Sequence, residues 1–259
     1  MQQRHIDRQR YFEEQSYTTK KHIIPYIENI KTINGNIRVL EIGCGEGGNI
    51  KPFLDMGCIT VGVDMNARSI QLAENFYSNH PFKKNLELIN KDIYDVGNDI
   101  EKFDIIMLRD VLEHIHNQEK FMNYVKLFLK DDGLFFIAFP PWQNPFGGHQ
   151  QVLKSKVLSH LPYFHILPKP ILKIILKIFG ESKSIPGMFE LVDTGISIER
   201  YKKIIKKEGY RTLKQTYWFI NPNYEIKFNL KRREQLKMLS SIPYFRNYLI
   251  TAYYAVISK

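Results

Sequence analysis

Three acidic side chains lie where a parallel sheet would bring them to one edge. Glu41 stands at the end of an apolar run, two residues before a glycine-rich segment, and Asp64 and Asp92 follow two further apolar runs. In open α/β sheets, ligands bind outside the carboxyl ends of the strands. The three carboxylates are therefore expected to line a single binding crevice.

The glycine-rich segment after Glu41 has the spacing of a nucleotide-binding turn. Glycines 43, 45 and 48 match G-x-G-x-x-G between a predicted strand and a predicted helix. A side chain there would block the approach of the backbone to a nucleotide, and tight turns require a positive φ. Taken alone, the motif fits NAD, FAD or S-adenosylmethionine.

The carboxylates narrow this choice. Glu41 would oppose the pyrophosphate of a dinucleotide, but it suits a ligand with an ammonium group, such as the methionine half of S-adenosylmethionine. Asp64 can accept hydrogen bonds from both ribose hydroxyls of either ligand class. Asp92 can accept from the exocyclic amine of adenine while Ile93 packs on the ring; alone, Asp92 would be interpreted as a cap of the next helix. Together the three favour the nucleoside with the ammonium group.

The elements that position these residues follow a βαβ rhythm from about residue 36. Strands are predicted at 37–42, 58–63, 86–89, 103–108, 134–139, 210–220 and 249–257. Helices are predicted at 49–56 and 67–77, from the N-cap Asn117 to a stop near Gly133, and from the N-cap Ser197 to Gly209. Residues 1–34 form a leading helical segment. The domain spans 35–259, with insertions at 140–195 and 221–247 that form a lid on the acceptor side.

The composition excludes several classes of protein. The 259 residues are 44% hydrophobic and 25% charged, which suits a folded protein and excludes a disordered or collagen-like chain. The only two cysteines, Cys44 and Cys58, are too few for a disulfide framework or a Cys-rich zinc site. With no apolar signal segment or membrane span in the sequence, we expect a cytoplasmic protein.

The charge is distributed unevenly. Residues 151–259 contain 20 of the 37 Lys and Arg residues but 7 of the 27 Asp and Glu residues, a net charge of +13, which leaves −3 for residues 1–150. A basic half indicates an anionic partner, such as a membrane surface, a phosphorylated substrate or nucleic acid. The alternative is a lysine-rich surface that only contacts water.

On these motifs, the chain resembles the class I S-adenosylmethionine-dependent methyltransferases, in the broad group that includes the quinone-biosynthesis methyltransferases. The resemblance covers about 35–140 and, more weakly, 195–259. It is carried by Val39-Leu-Glu-Ile-Gly-Cys-Gly-Glu-Gly, Val61-Gly-Val-Asp64, Lys91-Asp92, Phe103-Asp-Ile-Ile, Leu112-Glu-His-Ile115 and Lys130-Asp-Asp-Gly-Leu134.

This resemblance implies a fold and a set of contacts. The fold is α/β: a Rossmann-like sheet of seven strands with helices on both faces and the last strand inserted antiparallel beside strand six, together with the helical lid. The cofactor is S-adenosyl-L-methionine. The implied cofactor contacts are Glu41, Gly43, Gly45, Asp64, Met65, Asp92, Ile93, Leu108 and Arg109.

Methylation of a hydroxyl requires a base, and three residues are candidates. Asp110 and His114 follow strand four, and His149 lies in a glycine-rich loop after strand five. For His114 a structural role in the turn is favoured over catalysis, and for His149 an incidental place in the turn is the alternative. Methyltransferases that act on exocyclic base amines or on glutamine usually carry Asn/Asp-Pro-Pro-aromatic after strand four, whereas here Phe139-Pro-Pro-Trp142 follows strand five. Oxygen is expected as the acceptor atom in preference to nitrogen or carbon. Asp110 stands without an acidic cluster, so no metal is predicted.

The segment 161–180 carries information about the acceptor. Lys169, Lys173 and Lys177 recur every fourth residue among isoleucines and leucines, the pattern of a basic helix at an anionic membrane interface. A lid helix with its lysines in water is the alternative. Both interpretations imply a small or lipid-linked acceptor, such as a lipid-linked sugar or a quinone-like ring. An RNA or protein methyltransferase, an NAD-dependent oxidoreductase and a non-catalytic cofactor-binding scaffold remain as rival functions, although nucleic acid is disfavoured because no RNA-binding module is evident.

Overall fold

The computed structural model describes residues 7–97 and 100–259, so the first six residues of the predicted N-terminal segment lie outside it. These residues form one sheet with the order β3-β2-β1-β4-β5-β8-β6-β7. Strands β1 to β5 pair in parallel, whereas β8 pairs antiparallel with both β5 and β6. The strands are β1 (Arg38–Ile42), β2 (Ile59–Val63), β3 (Leu86–Ile89), β4 (Phe103–Arg109), β5 (Leu129–Phe139), β6 (Arg211–Ile220), β7 (Arg233–Glu234) and β8 (Ala252–Ser258).

The predicted Rossmann-like α/β fold is confirmed, including the late antiparallel strand. The predicted count of seven strands is wrong by one, because the short strand β7 extends the edge of the sheet. It pairs Glu234 with Trp218 and Arg233 with Ile220. The surrounding sequence, Lys231-Arg-Arg-Glu234, has no alternating apolar residues, so nothing in the local pattern predicts a strand there.

Helices flank the sheet. They are α1 (Arg8–Thr18), α2 (Ile24–Glu28), α3 (Lys51–Asp55), α4 (Ala67–Phe76), α5 (Gln118–Val125), α6 (Lys156–His160), α7 (Lys169–Ile178), α8 (Ile185–Thr194), α9 (Ile198–Lys207), α10 (Tyr224–Phe228) and α11 (Lys237–Ser240). One π-helical stretch, Thr19–Ile23, joins α1 to α2. Among the described residues, none of these helices has the length and apolar character needed to cross a bilayer.

Two predicted N-caps are confirmed and one predicted helix end is wrong. Asn117 Oδ1 accepts from the Lys120 amide at 3.2 Å, and Ser197 Oγ accepts from the Arg200 amide at 3.1 Å. The helix after Asn117 ends at Val125 rather than near Gly133, and β5 already begins at Leu129. Three polar residues, 130–132, interrupt the apolar pattern of β5 where its pairing with β4 is irregular, which hides the start of the strand.

Alternate residues of β4 point to opposite faces of the sheet, and each face has its own apolar core. Ile106 and Leu108 pack with α5 and α9, while Ile105 and Met107 pack with α2 and β8. Within residues 140–195, buried side chains form a separate apolar core between α6, α7 and α8. The sheet is therefore covered on both faces, as parallel sheets require.

Helix α1 lies directly across the glycine-rich segment. A Cβ on Gly48 would lie 2.6 Å from the carbonyl oxygen of Phe12 and 2.8 Å from Cβ of Gln15, far inside van der Waals contact. The third glycine of the motif is thus required by the packing of α1, not by the approach of a nucleotide.

We expect Gly48→Ala to destabilise the protein by about 1–3 kcal/mol, because the methyl group would push α1 away from the turn. The free energy of unfolding in urea measures this. Gly187→Ala is the matched control: nothing lies within 4 Å of a Cβ added there on α8, so its stability should be unchanged or slightly higher. A Gly48→Ala protein as stable as the wild type would contradict the packing of α1 described here.

Candidate active site

A cavity of about 510 Å³ opens at the carboxyl ends of the first four strands. Seven of the residues predicted for the site line it: Gly43, Asp64, Met65, Asp92, Ile93, Asp110 and His114. The other five predicted residues, Glu41, Gly45, Leu108, Arg109 and His149, lie outside its lining. A cavity of this size with several convergent polar groups is typical of small-molecule and cofactor sites.

Asp64, directly after β2, is held in place by backbone donors on two sides. Its Oδ2 accepts from the Gly45 amide and its Oδ1 from the Asn66 amide, both at 2.8 Å. Each carboxylate oxygen can accept more than one hydrogen bond, so capacity remains for a ligand in the cavity. Gly45 therefore contributes by orienting Asp64 rather than by lining the cavity.

Gly43 forms a cradle in the wall of the same cavity. Its φ is +72°, a conformation that favours glycine, and a Cβ on it would lie 2.5 Å from Cγ2 of Val111. A side chain at Gly43 is therefore excluded by the backbone conformation and by Val111, which itself lines the cavity.

Asp92 combines the two roles that the sequence left open. Its Oδ1 accepts from the Tyr94 amide at 3.0 Å, which caps the short turn Ile93–Asp95. The carboxylate also lines the cavity, and Ile93 beside it is buried. A turn cap and a ligand contact are compatible at this position, because the second oxygen is not used by the cap.

Glu41 lies behind the cavity wall in a buried polar network. Its Oε1 accepts from Asn49 Nδ2 at 2.6 Å, and Asn49 Oδ1 accepts from Arg109 Nη1 at 2.7 Å and from Thr19 Oγ1 at 2.9 Å. Burial raises the pKa of Glu41 to about 8, although the Asn49 hydrogen bond and the Arg109 charge oppose this rise. Asn49 is not predicted as a site residue, because nothing near it in the chain indicates that it joins β1 to β4.

Helix α1 packs against the glycine-rich turn beside the site, although none of its residues lines the cavity. Arg8 forms an ion pair with the buried Glu46, and its guanidinium carbon lies 4.9 Å from the centre of the Tyr11 ring. Burial raises the pKa of Tyr11 to about 12, and the charges of Asp110 and Glu46 contribute to the rise. The sequence predicts a helical segment here but gives no sign that Tyr11 lies near Asp110 and Glu46.

A cluster at the end of β4 gathers residues from two loops. Glu113 Oε1 lies 3.9 Å from His149 Nε2, and the His114 and His149 ring centres are 5.1 Å apart. Glu113 is buried, and burial with the nearby Asp110 charge raises its pKa well above the usual range. The prediction of no metal rests on the absence of an acidic cluster around Asp110, and the titratable groups near Asp110 in this cluster are Glu113 and His114.

A protein-family model described as a methyltransferase domain matches residues 33–213 of the sequence. The chain belongs to this methyltransferase family. Curated relatives include ubiquinone biosynthesis O-methyltransferases from Bartonella tribocorum, 34% identical over 105 residues, and from Glaesserella parasuis, 36% identical over 104 residues. The matched region is 40% and 39% of this chain and only 41% and 44% of those proteins, so the chain spans about two fifths of the relatives it matches.

Solved structures share the fold at low sequence identity. The plantazolicin methyltransferase BpumL in complex with SAH aligns with a TM-score of 0.55 and 13% identity, over 97% of this chain and 84% of that one. Geranyl diphosphate C-methyltransferase from Streptomyces coelicolor A3(2), in complex with Mg²⁺, geranyl diphosphate and S-adenosyl-L-homocysteine, aligns at 0.56 and 11%, over 91% and 79%. These likenesses establish the fold.

The raised pKa of Glu41 makes stability depend on pH. The Glu41 carboxyl binds its proton more tightly in the folded state than in the unfolded state. Its contribution to the free energy of unfolding is therefore greatest below its ordinary pKa of 4.5 and is lost as the pH rises to about 8. Relative to Glu41→Gln, the wild type should lose roughly 1.4 kcal/mol per pH unit in this window. Urea unfolding at pH 5, 6.5 and 8 measures the difference. Exposed Glu74→Gln is the control, and a constant difference for Glu41→Gln would contradict the prediction.

Proposed function

We propose that the protein transfers a methyl group from S-adenosyl-L-methionine to an oxygen atom of a small-molecule or lipid-linked acceptor. The observation that carries this proposal is the carboxylate of Asp64, fixed by two backbone donors in the same cavity as Asp92 and the Gly43 cradle. Membership of the methyltransferase family supports it. The names of the relatives favour oxygen, since these are O-methyltransferases.

The residues of the cavity fit the parts of the cofactor. Asp64 would accept from the ribose hydroxyls and Asp92 from the adenine amine, with Ile93 on the ring and Met65 at the exposed rim. When bound, the cofactor supplies a methyl group on a positively charged sulfur, so the protein has mainly to position the acceptor and exclude water.

The remaining predicted cofactor contacts do not line the cavity, so they would act through other residues. Glu41 and Arg109 would orient the glycine-rich turn through Asn49, and Gly45 would act through Asp64. Leu108 is fully buried beneath them. The buried oxygen Glu41 Oε2, which has no hydrogen-bond partner among the described residues, is the group we assign to the ammonium of the cofactor after a small movement of the turn.

The acceptor would enter from the side of Asp110, His114 and His149. Asp110 and His114 line the cavity, and His149 adjoins them from the loop after β5. These groups can hold an acceptor hydroxyl in line with the methyl group. The helices of the 140–195 insertion carry a separate apolar core, which suits a lid over a poorly soluble acceptor.

Asp64→Ala should weaken binding of S-adenosylhomocysteine at least about tenfold, because two hydrogen bonds to a charged group are lost. Calorimetry on the full chain measures this. Asp64→Asn, which keeps the shape of the side chain, should weaken binding less. Asp55→Ala, whose carboxylate pairs with Lys51 on α3, is the control.

Unchanged affinity in Asp64→Ala would refute this assignment. A titration with NADH distinguishes the oxidoreductase, which would bind it in preference to S-adenosylhomocysteine. Cofactor binding without methyl transfer to any component of a cell extract would favour the non-catalytic scaffold, and transfer to RNA or protein would favour those acceptors.

We further propose that the protein collects its acceptor at an anionic membrane on the cytoplasmic side, through α7. Leu172 and Leu176 are buried in the lid core, while Ile174 and Ile178 on the outer side are 58% and 74% exposed. Lys173 is exposed beside them. Lys169 differs from the other lysines, because it pairs with Asp193 at 2.6 Å.

Replacing Lys173 and Lys177 by Glu should reduce binding to phosphatidylglycerol vesicles at least about tenfold, since each lysine near an anionic surface contributes about 1 kcal/mol. Co-sedimentation measures the bound fraction. Replacing Lys206 and Lys207 on α9 by Glu makes the same change in net charge away from α7 and is the control. Equal loss in both variants would indicate only a general charge effect, and no loss would make α7 a lid alone.

A further inference from the structure

A turn between β6 and β8 reaches the buried side chain of Arg109. Within this turn, Asn221 Oδ1 accepts from the Asn223 amide at 3.0 Å and from the Tyr254 hydroxyl at 3.3 Å. The Asn221 amide donates to Thr251 Oγ1 at 2.8 Å. The turn is therefore fastened to β8 and to the residue before it, and Asn223 is held in a buried position.

The partners of the Asn223 side chain determine which way its amide group points. The Thr18 hydroxyl donates its one hydrogen to the Glu14 carbonyl at 2.8 Å, so towards Asn223 it can only accept. Asn223 Nδ2 therefore donates to Thr18 Oγ1 at 3.2 Å. The oxygen at the other end of the amide accepts from Arg109 Nη2 at 3.3 Å and from Lys227 Nζ at 2.7 Å. An amide oxygen facing two cations is the favourable arrangement, because the amide NH₂ group would offer them only donors.

Asn223 is one of three groups around the buried guanidinium of Arg109. Arg109 Nη1 donates to Asn49 Oδ1 at 2.7 Å, and Asn49 in turn donates to Glu41 beside the glycine-rich turn. Arg109 Nε lies 3.6 Å from Asp110 Oδ2, and Asp110 lines the cavity. The guanidinium is planar and presents its donors in a rigid fork, so the position of Nη2 determines the directions of the other nitrogens.

Asp110 is the member of this set whose conformation most needs support. Its φ is +55°, which is uncommon for a residue with a side chain, and its amide donates to the Ala138 carbonyl at 2.9 Å. Such backbone strain persists only where the surrounding contacts hold it in place. The Asp110 side chain is 44% exposed, so the charge of Arg109 restrains its carboxylate from the protein side.

We propose that Asn223 is a positioning residue for methyl transfer, because it sets the Arg109 guanidinium between Asn49 on the cofactor side and Asp110 on the acceptor side. Asn223 lies outside the lining of the cavity, so it acts through Arg109. The sequence predicts only a lid on the acceptor side for 221–247, and this role adds support of the cofactor site. It rests on the proposed function, since it requires that the cavity binds the cofactor. Small displacements of positioning groups can reduce the rate of a reaction strongly.

The affinity of the full chain for S-adenosylhomocysteine, measured by calorimetry, tests this role. Asn223→Leu keeps the approximate size of the side chain but removes the acceptor of Arg109 Nη2, so binding should weaken at least about threefold. Asn223→Asp keeps an oxygen towards Arg109 and should bind within about twofold of the wild type. Asn223→Ser, whose side chain is too short to reach Arg109, should behave like Asn223→Leu and replaces it if the leucine variant does not fold.

A double-mutant cycle with Arg109→Lys separates positioning from a merely structural role. Both substitutions act on the same contact, so their effects on the affinity for S-adenosylhomocysteine should not add. If Asn223 only stabilised the fold, the two losses of affinity would be independent and would add.

Glu225→Gln is the matched control, because it removes the charge that holds α10 to Lys21 and His22 but leaves the contact between Asn223 and Arg109 in place. It should lower the midpoint of urea unfolding without changing the affinity for S-adenosylhomocysteine. Additive losses in the cycle, or equal losses of affinity in Asn223→Leu and Glu225→Gln, would overturn the proposal. A wild type that binds and an Asn223→Leu variant that binds equally well would refute this inference alone, whereas a wild type that binds no S-adenosylhomocysteine would refute the proposed function itself.

Discussion

The side-chain amide of Asn49 holds the centre of the molecule together. It donates to Glu41 on β1 and accepts from Arg109 on β4 and from Thr19 beyond α1, so one small group joins two strands and the N-terminal helices. Burying a carboxyl and a guanidinium is costly unless both are satisfied, and removing one partner would leave the other uncompensated. These hydrogen bonds connect the glycine-rich turn to the loop that begins after β4. The geometry of the cavity between them therefore depends on Asn49.

The sequence predicts best those features that depend on neighbouring residues. Asp64 and Asp92 are predictable because Asp64 directly follows one apolar run and Asp92 comes three residues after another, and in a parallel sheet the ends of such runs share one edge. The N-caps Asn117 and Ser197 are equally local signals. The family resemblance then supplied the position of the antiparallel strand, which no short pattern reveals.

Features that depend on the folded chain were missed, for physical reasons. Arg109 and Asn49 are 60 positions apart, and only the return of the chain from β1 to β4 brings them together. Glu113 and His149 meet because the loop after β5 folds over β4. The packing role of Gly48 is not predictable from the motif either, because the residues that crowd it, Phe12 and Gln15, precede it by more than thirty positions. The spacing of a motif shows only which residues are neighbours in the sequence. These contacts depend instead on how the strands and loops are arranged in the folded protein.

The position of β8 has a consequence for the order of assembly. This strand comes latest in the chain among the described strands, yet it lies inside the sheet, between β5 and β6. Until residues 252–258 leave the ribosome, β5 exposes an unpaired edge of apolar strand, and β6 and β7 have no sheet to join. The part of the chain that contains β1 to β5 would therefore keep an exposed strand edge until β8 pairs with β5. We expect the protein to be most prone to misassembly before this pairing.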